Sequence, residues 1–376
     1  MDTLRIGITC YPTVGGSGVL ASALGEELAR RGHEVHFISY ERPFRLPEGM
    51  PRLHFHAVEI NDYELFKYPD YTLPLSVKMA EVSRDVGLDV LHVHYAVPHA
   101  TAAILARSML PEAQQPAVVT TLHGTDTTLL GRDPGYGPAI RHALANSDAI
   151  TTVSEYLKGE TERLLKIGKP IEVIHNFFSP RKPRRGVDEV RRELGLGEGE
   201  LLVVHISNLR PVKRVDLLLE TAAKIRRKDF RLLVVAGDAF GPFLEQVKRL
   251  GIGERVIVRE RVGEVEDYLQ AADLGLYTSD SESFCLSILE GMCFGCANVS
   301  TRVGGVPEVM GDDTGLMAGA GDAEGLALQA EVLLADGGRR KGMGEAGRVR
   351  ARERFSAEVI VPAYERLYRR VAGRRG

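Results

Sequence analysis

Residues 4–39, LRIGITCYPTVGGSGVLASALGEELARRGHEVHFIS, decide how the chain folds. Leu4–Cys10 is a short apolar run of the length and composition of a buried strand. A turn with three glycines, YPTVGGSG at 11–18, follows at once. Val19–Arg31 then repeats apolar residues at helical spacing and closes on Gly32, a residue suited to the left-handed conformation after a helix. Val35–Ser39 is the next strand. Strand, tight turn, crossover helix and strand make the unit from which parallel sheets are wound.

The same alternation runs onward. Val90–His94 and Val118–Leu122 read as strands, and Ile150–Val153 and Glu172–His175 look similar, so one doubly wound domain is complete at about residue 176. Ser179–Arg192 (SPRKPRRGVDEVRR) changes character, with two prolines and a basic cluster. It reads as an interdomain linker entering a solvated helix, with a cationic patch as the alternative.

After the linker the pattern restarts. Leu201–Ser207, Arg231–Ala236, Val256–Val258, Leu274–Thr278 and Ala297–Ser300 read as strands. Val215–Arg227, Phe243–Leu250, Val265–Ala271 and Ile288–Phe294 read as helices. The expectation is an α/β chain of two doubly wound Rossmann-like domains, 1–178 and 179–354, facing a cleft at the carboxyl ends of their strands, where open sheets bind ligands. A final helix over 355–372 carries one apolar stripe (Phe355, Val359, Ile360, Ala363, Tyr364, Leu367, Tyr368, Val371) and is expected to pack back near the first domain.

Composition narrows the function classes. The 376 residues suit two or three domains, and 48 Lys+Arg against 51 Asp+Glu give no general reason to bind nucleic acid or an anionic membrane. No signal peptide and no apolar window of about 18 residues is evident, so a cytoplasmic protein is expected. Four cysteines (Cys10, Cys285, Cys293, Cys296) do not make a disulfide framework. Cys293 and Cys296 have CxxC spacing but no second ligand pair nearby, and they read as small buried hydrophobes ahead of redox or metal groups.

Chemistry is sought in the loops after strands. The Gly15–Gly18 turn could bring backbone N–H groups to an anion, although its spacing matches neither a dinucleotide fingerprint nor a P-loop. His92 and His94 share a strand face and could pair on a metal, yet no further ligand is local, so structural roles are preferred. Tyr95 at that strand's exit is the better ligand contact. His123-Gly124 follows the strand ending at Leu122, where an active site would lie.

In the second half, Asn208, Arg210 and Lys213 occupy the loop after the first strand, with cations suited to a nucleotide diphosphate. Glu282-Ser283-Phe284-Cys285-Leu286 and Glu290 then set two glutamates eight apart across a strand-to-helix junction, with Glu290 expected about two turns inside the helix. Carboxylates accept hydrogen bonds from sugar and ribose hydroxyls, and the amides of Phe284–Leu286 could meet phosphate oxygens. Gly304-Gly305-Val306-Pro307-Glu308 completes the constellation.

Glu-x7-Glu, the basic loop and GGVPE together resemble the retaining nucleotide-sugar glycosyltransferases of family four, which have the GT-B fold. The resemblance spans essentially the whole chain in order. IGITCYPTVGGSG, ERPFRL at 41–46, KMAEV at 78–82 and TTLHGTD at 120–126 are similar to a narrower branch that opens bacillithiol biosynthesis. That likeness implies UDP-N-acetylglucosamine as donor and L-malate as acceptor, with transfer to the malate hydroxyl and retention of the α-anomer.

Carried over residue by residue, the likeness gives Glu290 the ribose and Glu282 the sugar hydroxyls. Ser283, Phe284, Cys285 and Leu286 line the sugar or diphosphate, and Arg210 and Lys213 neutralise the leaving group. Gly16 and Asn208 also approach the donor, and Arg261 and Val262 lie near the uracil. His123 contacts the sugar near the reacting carbon, and Ser17, Tyr95 and Thr121 help seat malate. Arg42, Arg45, Lys67 and Arg132 are open candidates for the malate carboxylates. No metal or other cofactor is expected, and a homodimer is left open.

The chain departs from the family pattern at three places. Asn208-Leu209-Arg210 replaces Gly-Arg-Leu, Cys285 stands where glycine is usual, and Met292–Ala297 differs from Met-Ala-Cys-Gly-Val-Pro. Transfer to inositol phosphate or another small anionic acceptor is the nearby alternative. A UDP-N-acetylglucosamine 2-epimerase and a non-catalytic nucleotide-sugar sensor are alternatives of other classes.

Overall fold

The computed structural model describes residues 3–13, 16–60 and 70–373, so Gly15 and Lys67 lie outside the described residues. Contacts divide the chain into two units, residues 1–176 with 357–376, and residues 177–356.

The first unit is built on seven parallel strands among the described residues: β1 (Arg5–Thr9), β2 (Glu34–Ser39), β3 (Leu53–Ala57), β4 (Val90–His94), β5 (Ala117–Leu122), β6 (Ala149–Thr152) and β7 (Ile171–Val173). Their order is β3-β2-β1-β4-β5-β6-β7. Ile6 and Ile8 of β1 are fully buried, as a central strand covered on both faces requires. Gly7 between them lies against the ends of the Leu88 and Leu91 side chains, which a Cβ 2.8 Å away would push aside.

The second unit has six parallel strands among the described residues: β8 (Leu201–Ser207), β9 (Phe230–Ala236), β10 (Val256–Glu260), β11 (Leu274–Tyr277), β12 (Ala297–Thr301) and β13 (Gly315–Ala318). They run β10-β9-β8-β11-β12-β13. Each sheet therefore reverses its winding once, between β1 and β4 and between β8 and β11. Loops leaving the carboxyl ends of strands at such a reversal diverge to opposite faces and open a crevice for a ligand. The Gly-rich turn and the Tyr95 loop sit at the first reversal. The Asn208–Lys213 and Glu282–Leu286 loops sit at the second.

Several elements differ from the sequence reading. β3 and β13 were not expected, nor were helices Ala323–Ala335 and Gly337–Arg354. The helix expected to reach Arg227 ends at Lys224, because Ile225 is extended. Two of the basic linker residues are paired within the second unit. Arg184 pairs with Glu264 at 2.5 Å, and Arg185 with Asp267 at 2.9 Å and Glu193 at 2.8 Å. These two therefore do not contribute unpaired charge to a cationic patch.

Helix Ala357–Ala372 counts with the first unit. It buries Ile360, Tyr364, Leu367, Tyr368 and Val371 despite Pro362 in its interior. A proline there costs about 3 kcal/mol, whereas each large apolar side chain buried returns about 1.5–3 kcal/mol, so docking wins. Among the described residues, no helix is long and apolar enough to cross a membrane. All four cysteines are free thiols, with Cys10, Cys285 and Cys296 buried.

Candidate active site

In the second unit the site grows from the loops after β8 and β11. The β8 loop turns tightly, with Leu209 at φ 53° and Arg214 at φ 49°, and Lys213 N–H donates to the Arg210 carbonyl at 2.8 Å. The two loops are tied together. Asp280 N–H donates to the Val212 carbonyl at 2.9 Å, Thr278 Oγ1 donates to the Arg214 carbonyl at 3.0 Å, and Arg214 binds Asp280 at 2.9 Å. These ties aim Lys213 at Glu282. Its Nζ donates to Glu282 Oε1 at 2.6 Å, and Ser279 Oγ donates to the same oxygen at 2.6 Å. Burial works against the charge on Lys213, but the Glu282 carboxylate outweighs it and holds the ammonium above its ordinary pKa. Arg210 stays exposed beside it.

Beneath the loop lies a residue that the sequence reading missed. His205 is buried in β8, with Nδ1 bonded to the Leu276 carbonyl at 2.8 Å and Nε2 to Ser207 Oγ at 2.9 Å. Ser207 Oγ accepts from Leu209 N–H at 3.3 Å, so the histidine braces the start of the basic loop. Burial lowers its pKa to about 4, which keeps it neutral. Nothing in the spacing of β8 distinguishes this histidine from an ordinary core residue.

The paired glycines have a direct mechanical reason. A Cβ at Gly304, which has φ 52°, would lie 1.9 Å from the Glu282 carbonyl oxygen, and one at Gly305 would lie 2.3 Å from that of Ser283. Gly305 N–H donates to the Glu282 carbonyl at 2.9 Å. The turn before helix Val306–Met310 thus clamps the backbone of Glu282-Ser283, and only glycine permits that approach.

Cys285 explains the family's usual glycine. It has φ 72° and ψ 76°, a left-handed conformation, and caps helix Leu286–Cys293 without a side-chain hydrogen bond. The helix therefore starts at Leu286, and the positive end of its dipole favours an anion there. Because the helix begins at Leu286, Glu290 is its fifth residue and lies little more than one turn inside, not two. Phe284 is 2% exposed and packs edge-on to Phe355, so it offers a ligand its backbone only. Arg261, at φ 53°, and Val262 follow β10, where Arg261 N–H donates to the Ala236 carbonyl at 2.8 Å. Asn208 adjoins Gly237, whose Cβ would lie 3.2 Å from the Asn208 Cα.

In the first unit, Tyr95 takes φ 79° and its hydroxyl donates to Ser17 Oγ at 3.0 Å. The Tyr95 ring also lies 4.9 Å from that of His123. Gly16 and Ser17 open helix Gly16–Arg30, and Gly18 must be glycine because a Cβ would meet the Thr13 and Tyr11 carbonyls at 2.7 and 2.8 Å. ERPFRL is brought beside this turn, since Phe44 N–H donates to the Pro12 carbonyl at 3.1 Å. Arg42 is engaged with the Pro47 carbonyl, and Arg132 is exposed near Glu160.

Thr121 lies in β5. It is fully buried, with its hydroxyl bonded to His92 Nε2 at 2.7 Å and Thr151 Oγ1 at 2.6 Å. Through these bonds its side chain supports the sheet. His92 in turn meets Tyr368 of the last helix at 2.7 Å. Gly124, at φ 115°, opens the turn after His123, and buried Asp126 accepts from Gly124 N–H at 3.0 Å and Ala96 N–H at 3.2 Å. Burial raises the Asp126 pKa to about 6. Among the described residues, no group of three or more His, Cys, Asp or Glu side chains is placed to hold a metal ion.

Two parallel-sheet units, with a cationic loop and a helix start at the winding reversal of the second, have the arrangement of the GT-B class of glycosyltransferases. The chain belongs to glycosyltransferase family 4. Residues 14–182 match the family model described as Glycosyltransferase Family 4, and residues 186–350 match Glycosyl transferases group 1. The chain is 46% identical over 369 residues to the N-acetyl-alpha-D-glucosaminyl L-malate synthase of Bacillus anthracis, covering 97% of this chain and 96% of that one. It is 26% identical to the D-inositol 3-phosphate glycosyltransferase of Xylanimonas cellulosilytica, over 96% of this chain and 93% of the relative. Among solved structures, sucrose-phosphate synthase from Thermosynechococcus elongatus shares the fold. Its TM-score is 0.82 at 21% identity, covering 99% of this chain and all of that one.

Proposed function

We propose that this protein transfers N-acetylglucosamine from UDP-N-acetylglucosamine to the hydroxyl of L-malate, with retention of the α-anomer, as the first step of bacillithiol biosynthesis in the cytoplasm. The observation that carries the donor half is the cradle at the β8–β11 reversal, where Lys213 and Glu282 meet at 2.6 Å beside the start of helix Leu286–Cys293. The identity of the acceptor rests on the 46% identical relative, whose name joins an N-acetylglucosaminyl group to L-malate.

In this reading the carboxyl-terminal unit holds the donor and the amino-terminal unit holds malate. Lys213, Arg210 and the amides of Cys285 and Leu286 stabilise charge developing on the departing diphosphate. These fixed groups supply the positive potential, and the reading requires no metal. Diphosphate competes with Glu282 for Lys213, which releases the Glu282 carboxylate to accept hydrogen bonds from the sugar hydroxyls. Glu290 accepts from the ribose, and Arg261 and Val262 border the uracil. His123 hydrogen-bonds the transferring sugar, while Ser17 and Tyr95 position malate beside Gly16. The malate hydroxyl attacks the face that UDP leaves, and the leaving phosphate takes its proton.

The test is an acceptor panel with UDP-N-acetylglucosamine held constant. L-Malate should be the preferred acceptor over inositol phosphate and D-malate, and Glu290→Ala should abolish turnover. Preference for inositol phosphate, or epimerised sugar with no acceptor consumed, would overturn the assignment.

A further inference from the structure

His123 is not an isolated loop histidine. Its Nε2 lies 2.8 Å from Nδ1 of His94, and the two rings stack with centroids 5.1 Å apart. The pairing is built into the sheet, because β4 and β5 align His94 with Thr121, two residues before His123. The His94 carbonyl is itself held by His99 Nδ1.

Burial, followed by neighbouring histidines, keeps the His94 pKa well below its ordinary value, and burial lowers that of His123 to about 3. Both rings are therefore neutral. Two neutral imidazoles meeting nitrogen to nitrogen share one proton, so one donates and the other accepts, and that choice sets both tautomers. The second nitrogen of His94 decides it. His94 Nε2 is buried, has no protein hydrogen-bond partner and lies in a ring packed 4.5 Å from that of His92. Buried N–H groups without an acceptor are avoided more strictly than bare acceptors. The His94 proton accordingly belongs on Nδ1, donated to His123 Nε2, and His123 must then carry its own proton on Nδ1.

We propose that His94 is a positioning residue that fixes His123 as a hydrogen-bond donor, through Nδ1–H, to an oxygen of the transferring sugar. His123 then has no lone pair available for accepting a proton, so it steadies the sugar and does not act as the base. This matches a reaction in which the leaving phosphate takes the acceptor's proton. Only the identity of the oxygen rests on the proposed glycosyl transfer. The tautomer follows from the protein alone.

The test uses full-length protein with 15N-labelled histidine side chains and long-range 1H–15N spectra, with His123 assigned by the signal lost in His123→Gln. His123 should show a protonated Nδ1 and a bare Nε2, with and without UDP. His94→Ala should shift His123 toward a mixture of tautomers and lower kcat roughly 10- to 100-fold, as loss of an orienting partner typically does, with a smaller change in KM for the donor. His94→Asn, whose amide N–H can replace Nδ1–H, should recover most of kcat. A proton on Nε2 of His123 in the wild type would overturn the proposal. So would a His94→Ala protein with unchanged tautomer and kcat. Should His94→Ala fail to fold, the wild-type spectrum and the asparagine variant still decide. Should another acceptor prove correct, the tautomer reading stands unaffected.

Discussion

Lys213 and Glu282 hold each other at 2.6 Å across 69 residues of sequence, joining the loops that leave β8 and β11. The Glu282 side chain is 10% exposed and that of Lys213 23%, so the pair is largely withdrawn from water. Replacing Lys213 by Met removes a cation from the diphosphate and leaves a half-satisfied carboxylate on Ser279. Turnover should fall roughly 10²- to 10³-fold, the loss typical for one preorganised charge-stabilising group. Stability should fall by about 1–3 kcal/mol, less than for a fully buried pair because water still reaches the ammonium. Adding Glu282→Gln should restore stability in urea titrations without restoring UDP release.

The Gly304–Glu282 contact allows a second test. Gly304→Ala forces a Cβ into the Glu282 carbonyl, 1.9 Å away, so the clamp must open. Displacing a positioned site by about 1 Å costs roughly 10² in rate, and kcat/KM should fall by that order. Near-native circular dichroism with reduced UDP affinity by calorimetry would locate the damage at the loop. Unchanged affinity and rate would show that the clamp has no functional part.

Cys285 sits at φ 72°, where a non-glycine residue is strained by about 1–2 kcal/mol. Cys285→Gly relieves that strain but gives up a buried thiol and adds the entropy of glycine in the unfolded chain, so stability should change by less than about 1 kcal/mol. Cys285→Val should lower it. Chemical denaturation of both variants checks this.

Much of the architecture could be read from periodicity. Leu4–Cys10 and Leu201–Ser207 are mostly apolar, broken only by Arg5 and Thr9 in the first and His205 and Ser207 in the second, because their sheets are covered on both faces. β3 escaped because it is an edge strand in which His54 and His56 alternate with Leu53 and Phe55, too short a pattern to stand out. Helix Gly337–Arg354 escaped because its glycines and charges oppose helix propensity. It buries Gly344 and Gly347, and a Cβ at Gly344 would lie 1.9 Å from the Gly295 carbonyl. The loops bearing the site were legible from their residue types. Their cross-links were not, because Lys213 with Glu282, Gly304 with Glu282 and His94 with His123 meet only through the tertiary fold. The depth of Glu290 was misjudged for a local reason: Cys285 takes a left-handed conformation, so the helix cannot start before Leu286 and Glu290 is only its fifth residue.

Acid should unfold the amino-terminal unit first. His92 is held at about 3 and His99 at about 4 by burial, with His94 also well below its ordinary value. A histidine whose folded pKa is depressed gives full stability above the unfolded value near 6.5 and loses it as pH falls toward the folded value. Each such group costs about 1.4 kcal/mol per pH unit in that window. Asp126, raised to about 6, acts oppositely and gains stability as pH falls from about 6 toward 4. One carboxyl cannot offset several imidazoles, so the net effect is destabilising. Denaturation followed at pH 7, 6 and 5 should show the transition of this unit moving more than that of the unit containing His205.

The most direct test of glycosyl transfer to malate is proton NMR of a reaction containing purified protein, UDP-N-acetylglucosamine and L-malate. The account predicts one UDP released for each sugar consumed, and a single product with N-acetylglucosamine α-linked to the malate hydroxyl. A β-linked product, or tight UDP binding with no malate glycoside formed under any donor concentration, would contradict it.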